Sequence, residues 1–209
     1  MANDIIFYSN PWSRGRIVHW LLEEVGEPYT THWLQYGEDM KSKQYLAINP
    51  MGKVPCVIHN GNVITEAAAI CAYMAHTFPQ KNLMPKASDL EDLGRYYRWL
   101  LFAAAPLEMA ITTKAMQWPA GEEHARMLGF GTYKDTLDAI AGHLKGREFI
   151  CDYGFSAADV YLGSGLIFGM EIKAVEQRPE FETYAQGLMQ RPAYKRHVEL
   201  CATQIKKSS

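Results

Sequence analysis

One proline constrains this chain more than any other residue. Pro55 stands at the head of an apolar run, Val54-Pro55-Cys56-Val57-Ile58, inside the stretch NPMGKVPCVIHNGNVITEAAAICAYMA that covers residues 49–75. Proline cannot donate to a strand ladder, so it is tolerated only at strand starts, edges or bulges. Asn60-Gly61 is a strong signal for a tight hairpin, and Val63-Ile64-Thr65 reads as the returning strand. Thr65 and Glu66 then open an alanine-rich segment in which Ile70, Tyr73 and Met74 recur at helical spacing. A proline fixed just after Lys53-Val54 leaves the backbone N–H and C=O of Val54 free. An extended peptide lying antiparallel to that edge fits there. An ordinary edge strand accounts for the same residues.

The pattern before and after this stretch is mixed. Residues 4–8 read as a buried strand. Ser9-Asn10-Pro11 is a loop that can start a helix, because Asn caps well and Pro suits the first helical position. Arg14 to Val25 follows as a helix with Ile17, Val18, Leu21, Leu22 and Val25 on one face, ended by Gly26. Tyr29 to Leu34 is a second strand, and a loop with a short helix leads to Asn49. Strand–helix–strand–loop–strand–strand–helix implies a mixed sheet with helices packed on it.

Residues 78–88 carry Pro79 and Pro85 without periodicity and read as a linker. Everything beyond is helical in pattern. One long helix is expected from Asp89 to about Trp118, kinked or interrupted at Pro106, and a second from Glu122 to Leu144. Ser156-Ala157-Ala158-Asp159 has the form of a capping box and starts a helix through Ile167. Shorter helices are expected near 180–190 and 192–205. The expected division is an α/β domain over residues 1–80 and an all-helical domain over residues 88–209.

Composition excludes several function classes. A hydrophobic content of 48% with 21% charged residues suits a globular chain. A formal net charge of −2 leaves no basic surplus for phosphate contacts, so nucleic acid is not an expected partner. No apolar run approaches a membrane span and the first residues carry no signal-peptide pattern, so no membrane partner and a cytoplasmic location are expected. Cys56, Cys71, Cys151 and Cys201 lack metal-ligand spacing, and the seven histidines show no H-E-x-x-H pattern. No metal site is expected.

Two segments can carry chemistry. At the mouth of the first helix, Tyr8-Ser9-Asn10-Pro11-Trp12-Ser13, open N–H groups and the helix dipole favour an anion. Hydroxyls of Ser9 and Ser13 and the amide of Asn10 add directed hydrogen bonds. The same side chains also serve simply as caps. The other segment is the Val54 edge itself.

The pattern NP-x-G-K-VP, followed after the hairpin by TE-x-x-AI, resembles the cytosolic glutathione transferase family. It is the bacterial type and the serine- or tyrosine-using classes that it resembles. The resemblance runs from Ile5 to about Lys206. It implies a thioredoxin-like α/β N-terminal domain, an all-α helical-bundle C-terminal domain and a homodimer. Glutathione would be the co-substrate and a small hydrophobic electrophile the acceptor. By this resemblance Val54 pairs its backbone with the cysteinyl unit and Pro55 is cis. Lys53 reaches the glycine carboxylate, and Glu66 takes the γ-glutamyl ammonium. Ala67 stands where the family usually has serine. Its N–H can still bind a carboxylate, and the missing hydroxyl costs about 1 kcal/mol of affinity.

The family sets the sulfur of glutathione against a Ser, Tyr or Cys at the helix mouth. A thiol of pKa about 8.5 is about 3% thiolate at pH 7. Half-ionising it takes about 2 kcal/mol. A hydrogen bond to a charged acceptor contributes about 1.5–3 kcal/mol, and a helix end about 0.3–2 kcal/mol, which together suffice. Counting back from Gly26 without gaps sets Tyr8 on the family's tyrosine and Trp12 on its serine. A one-residue difference in loop length gives the role to Ser13. Ser13 is the expected sulfur contact, with Asn10 and Tyr8 as alternatives, and no cysteine lies in the segment. The acceptor pocket is expected between the domains, lined by Trp12, Phe102, Met109, Met116 and Trp118, although Met and aromatic residues at helical spacing are more often core. Two other functions stay open. One is glutathione-dependent peroxidase or disulfide reductase activity. The other is a non-catalytic glutathione-binding or interaction module of the same fold.

Overall fold

The computed structural model describes residues 4–208. Its first compact unit comprises Met1–Lys81 and Arg191–Ser209, and its second comprises Asn82–Gln190. The first unit contains β1 (Ile5–Ser9), α1 (Gly15–Val25), β2 (Thr30–Trp33), α2 (Lys43–Leu46), β3 (Cys56–His59), β4 (Asn62–Thr65) and α3 (Ala67–Thr77). The sheet runs in the order β2-β1-β3-β4, with β1 parallel to β2 and antiparallel to β3, and β3 antiparallel to β4. This four-stranded mixed sheet with helices is the thioredoxin-like arrangement expected.

Strand alternation assigns the two faces of β1. Ile5, Phe7 and Ser9 are buried, whereas Ile6 and Tyr8 are half-buried. Phe7 pairs with Val57 and stacks on His19 of α1, so this face lies beneath α1. Tyr8 pairs with Cys56 and packs with Val54, Leu34 and Ile48 against Met40, Tyr45 and Cys56 on the other face.

The apolar stripe of α1 is buried as its spacing predicts, but His19 and Trp20 are buried as well. The cause is α9 (Pro192–Ser208), which returns from the far end of the chain and packs along α1 within the first unit. Trp20 meets Tyr194 edge-on at 4.9 Å. Arg191 grips Glu24 with two bonds of 2.7 and 2.9 Å, and Arg196 bonds Glu23 at 2.9 Å.

The second unit is helical: α4 (Leu90–Phe102), α5 (Glu108–Ala115), α6 (Tyr133–Leu144), α7 (Ala157–Glu171) and α8 (Pro179–Met189). Pro106 interrupts the first long helix as expected. Ala103–Leu107 form a π turn that absorbs the proline between α4 and α5. The expected helix from Glu122 to Leu144 is a correction. Only a short 3-10 turn, Glu122–His124, and α6 form there. Gly131 adopts φ +67°, and Thr132 caps α6 by accepting from Asp135 N at 3.0 Å, so the helix cannot begin earlier.

The α7 hub is set by its cap. Asp159 is fully buried and accepts four hydrogen bonds, from Ile150 N, Ser156 N, Ser156 Oγ and Tyr184 OH, at 2.7–2.8 Å. The predicted capping box is present. Gly169 lets α7 close on its neighbours, since a Cβ there would lie 2.4 Å from Val175 and 3.1 Å from Ile111.

Candidate functional site

Strand direction gathers the candidate residues at one end of the sheet. The end of β1 pairs with the start of β3 (Tyr8 with Cys56), and the start of β3 pairs with the end of β4 (Cys56 with Thr65). The α1 mouth after Ser9, the Lys53–Pro55 segment before β3 and Glu66–Ala67 after β4 therefore share that end.

At the α1 mouth, local bonds settle most of the polar groups. Asn10 is buried, with its Nδ2 donating to Leu34 O at 2.8 Å and its Oδ1 accepting from Trp12 N at 2.9 Å. Its side chain is thereby committed to holding the loop. Ser13 Oγ donates to Asn10 O at 2.8 Å and accepts from Gly15 N at 2.9 Å. Asn10 O also accepts from Ser13 N at 3.0 Å, so it would stay bonded if the Ser13 hydroxyl turned away. The Ser9 hydroxyl is buried with no hydrogen-bond partner among the described residues. Tyr8 stacks on His32 at 5.0 Å and has no hydrogen-bond partner for its hydroxyl among the described residues.

The segment before β3 is clamped from within. Lys53 O accepts from Tyr45 OH at 2.6 Å and from Asn49 Nδ2 at 2.8 Å. Asn49 Oδ1 accepts from Met51 N at 3.1 Å. The Val54–Pro55 bond is cis. Neither the N–H nor the C=O of Val54 has a partner among the described residues. The exposed Lys53 side chain makes no ion pair among them either.

At the head of α3, Glu66 is exposed and takes φ +66°, a region that disfavours a side chain and costs about 1–3 kcal/mol. It places no side-chain cap on the helix, and the first turn carries no acidic residue. The amides of Ala67 and Ala68 have no partner among the described residues, so an anion meets open donors and the positive end of the dipole there.

The apolar candidates are not core, contrary to the commoner fate of such residues. Trp12 is 68% exposed and Met109 38%, Met116 and Trp118 are exposed too, and Phe102 is half-buried beside Trp99. A shallow hollow at the end of α1, lined by Leu22, Glu23, Gly26, Tyr29 and Arg196, contains none of the candidate residues.

Sequence spacing missed one cluster entirely. His19, His197 and Cys201 are buried together between α1 and α9, with their ligand-type atoms within 4.8 Å of one another. The only local signal is the four-residue spacing of His197 and Cys201. Their link to His19 spans most of the chain.

Residues 11–77 match the family model described as glutathione S-transferase, N-terminal domain. The chain is 26% identical to a glutathione S-transferase, GstA, of Escherichia coli O157:H7, over 90% of this chain and 93% of that one. It is 27% identical to elongation factor 1-gamma of Prunus avium, over 78% of this chain but only 40% of that protein. A sphingomonad glutathione S-transferase solved in complex with glutathione has a TM-score of 0.76 and 24% identity, covering 94% of this chain and 98% of that one.

Proposed function

Since residues 11–77 match the glutathione S-transferase N-terminal domain, we propose that the chain belongs to that family, binds glutathione and adds the glutathione thiolate to a small hydrophobic electrophile. The observation that carries this reading is the pair of open backbone groups on Val54. They lie at the same end of the sheet as the α1 mouth and the uncapped head of α3. An extended peptide backbone completes the Val54 edge. Its carboxylates suit Lys53 and the Ala67 amide, and its ammonium suits Glu66.

Ser13 is the proposed sulfur contact. Exchanging its bond to Asn10 O for one to a thiolate replaces a neutral hydrogen bond with a charge-assisted one, which is roughly twice as strong. The Gly15 N–H donated to Ser13 Oγ makes that hydroxyl a better donor. Asn10 holds the loop rather than the sulfur. Tyr8 is the second reading, favoured because its hydroxyl has no bond to give up among the described residues. Attack then needs only orientation of the acceptor, for which the exposed Trp12 ring at the α1 mouth offers apolar surface. A homodimer is part of the proposal, and sedimentation at micromolar concentration tests it.

The deciding experiment is an ultraviolet difference titration with glutathione across pH, on wild type, Ser13→Ala and Tyr8→Phe. The expected result is a thiolate band at neutral pH that Ser13→Ala moves upward by about one to two pH units. A band moved by Tyr8→Phe alone transfers the role to Tyr8. No band and no binding heat in the wild type overturns the glutathione reading. Binding without conjugation, but with peroxide or disulfide turnover, supports the reductase alternative. Binding without any turnover supports a non-catalytic module.

A further inference from the structure

The α1–α9 seam contains side chains that glutathione chemistry does not use. His19 Nδ1 lies 3.3 Å from Cys201 Sγ, and His197 Nδ1 lies 4.0 Å from the same sulfur. His197 and Cys201 are one helical turn apart on α9, so both face α1. All three are buried. Phe7 stacks on His19 at 5.8 Å, Trp33 meets it edge-on at 5.5 Å, and Trp20 stacks on His197 at 6.3 Å. Metal bonds of about 2.0–2.3 Å set neighbouring ligand atoms roughly 3.3–4 Å apart. Both imidazole–sulfur separations fall in that range, and all three ligand atoms lie within 4.8 Å of one another before anything binds.

We propose that His19, His197 and Cys201 form a three-ligand site for a soft monovalent cation, Cu(I). Thiolate and imidazole are ligands that such an ion accepts. Charge then chooses between candidate metals. Two neutral imidazoles, one thiolate and a monocation sum to zero, and the two charged side chains that act on the cluster, Glu23 and Arg16, are of opposite sign. A divalent ion leaves a net positive charge there, and burying an unpaired charge is costly. No fourth His, Cys, Asp or Glu joins the group among the described residues, whereas structural zinc sites take four ligands.

Burial keeps both imidazoles neutral and the Cys201 thiol protonated before loading, so the thiol is the group that must change. Loading therefore breaks the S–H bond, forms S–Cu and releases one proton to water, and no electron changes hands. The site is independent of the glutathione reading.

The test supplies the whole chain with Cu(I) as its tetra-acetonitrile complex, without oxygen and in competition with bicinchoninate. One equivalent should bind with release of one proton. X-ray absorption of the loaded protein should show copper held by two nitrogens and one sulfur. Cys201→Ser and His197→Gln should weaken binding about tenfold or more, and Cys151→Ser should not. Should a variant fail to fold, the absorption spectrum of the wild type still decides. Copper bound by sulfur alone, no binding against the competitor, or a preference for Zn(II) overturns the proposal.

Discussion

Ser9 illustrates how a single residue's role depends on what lies above it. In the chain it reads as a hydroxyl available at a helix mouth, yet Gly15 sits so close that a Cβ there would stand 2.1 Å from Ser9 Oγ. The hydroxyl is sealed in without a partner among the described residues. Ser9→Ala should therefore raise the unfolding free energy by about 1 kcal/mol in urea titration. Gly15→Ala should destabilise, and its cost should shrink when combined with Ser9→Ala, which a double-mutant cycle measures. At this scale the sequence signals were uneven. Val54, Pro55 and the Asn60-Gly61 turn were legible because proline fixes φ locally and glycine accepts the positive φ that the turn requires. The fates of Ser9 and Asn10 were not, because the residues they meet, Gly15 and Leu34, are brought to them by the turn and by β2.

At the scale of elements, caps were legible and coverage was not. The Ser156–Asp159 box could be read in four residues, but its reach to Ile150 and Tyr184 could not. Asp159→Ala should cost about 3 kcal/mol or more, since it strands several buried donors at once. The measurement is thermal unfolding with loss of helical ellipticity. The α1 pattern showed one apolar face, and nothing nearby signalled that α9 would cover the other. Arg191→Ala should weaken that seam by about 2–3 kcal/mol, seen as faster amide exchange in α9 and unchanged exchange in α7. The expected helix from Glu122 failed for a local reason that a stricter reading would have used: Gly129, Gly131 and Thr132 together stop and restart a helix.

Across the whole molecule, the α1–α9 seam makes stability depend on pH. His19 and His197 have folded values depressed to about 4 and about 3 from an ordinary 6.5. Their contribution is complete above 6.5 and is lost as pH falls below it, because the unfolded chain binds more protons there. Asp159 acts in the opposite sense. Burial raises it to about 6, so its contribution is complete below 3.8 and is lost as pH rises through 6. Two imidazoles outweigh one carboxyl between pH 4 and 6, so the urea midpoint should rise with pH across that window. Each histidine contributes about 1.4 kcal/mol per pH unit there. His197→Gln should flatten the rise, and an unchanged slope would rule out the seam as its source. No helix among the described residues is long and apolar enough to cross a membrane.

What the sequence determined by itself was everything that short-range physics controls. Strand alternation in β1, the apolar stripe of α1, the proline at the head of β3 and the capping box of α7 each follow from residues within a turn or two of one another. The tertiary structure alone decided which polar groups found partners. It buried Ser9, committed Asn10, left Val54 open and brought His19 to His197 and Cys201. The physical reason is that hydrogen bonds, burial and metal-ligating distances depend on proximity in space. For those groups proximity was set by β-pairing and by the return of α9, across most of the length of the chain.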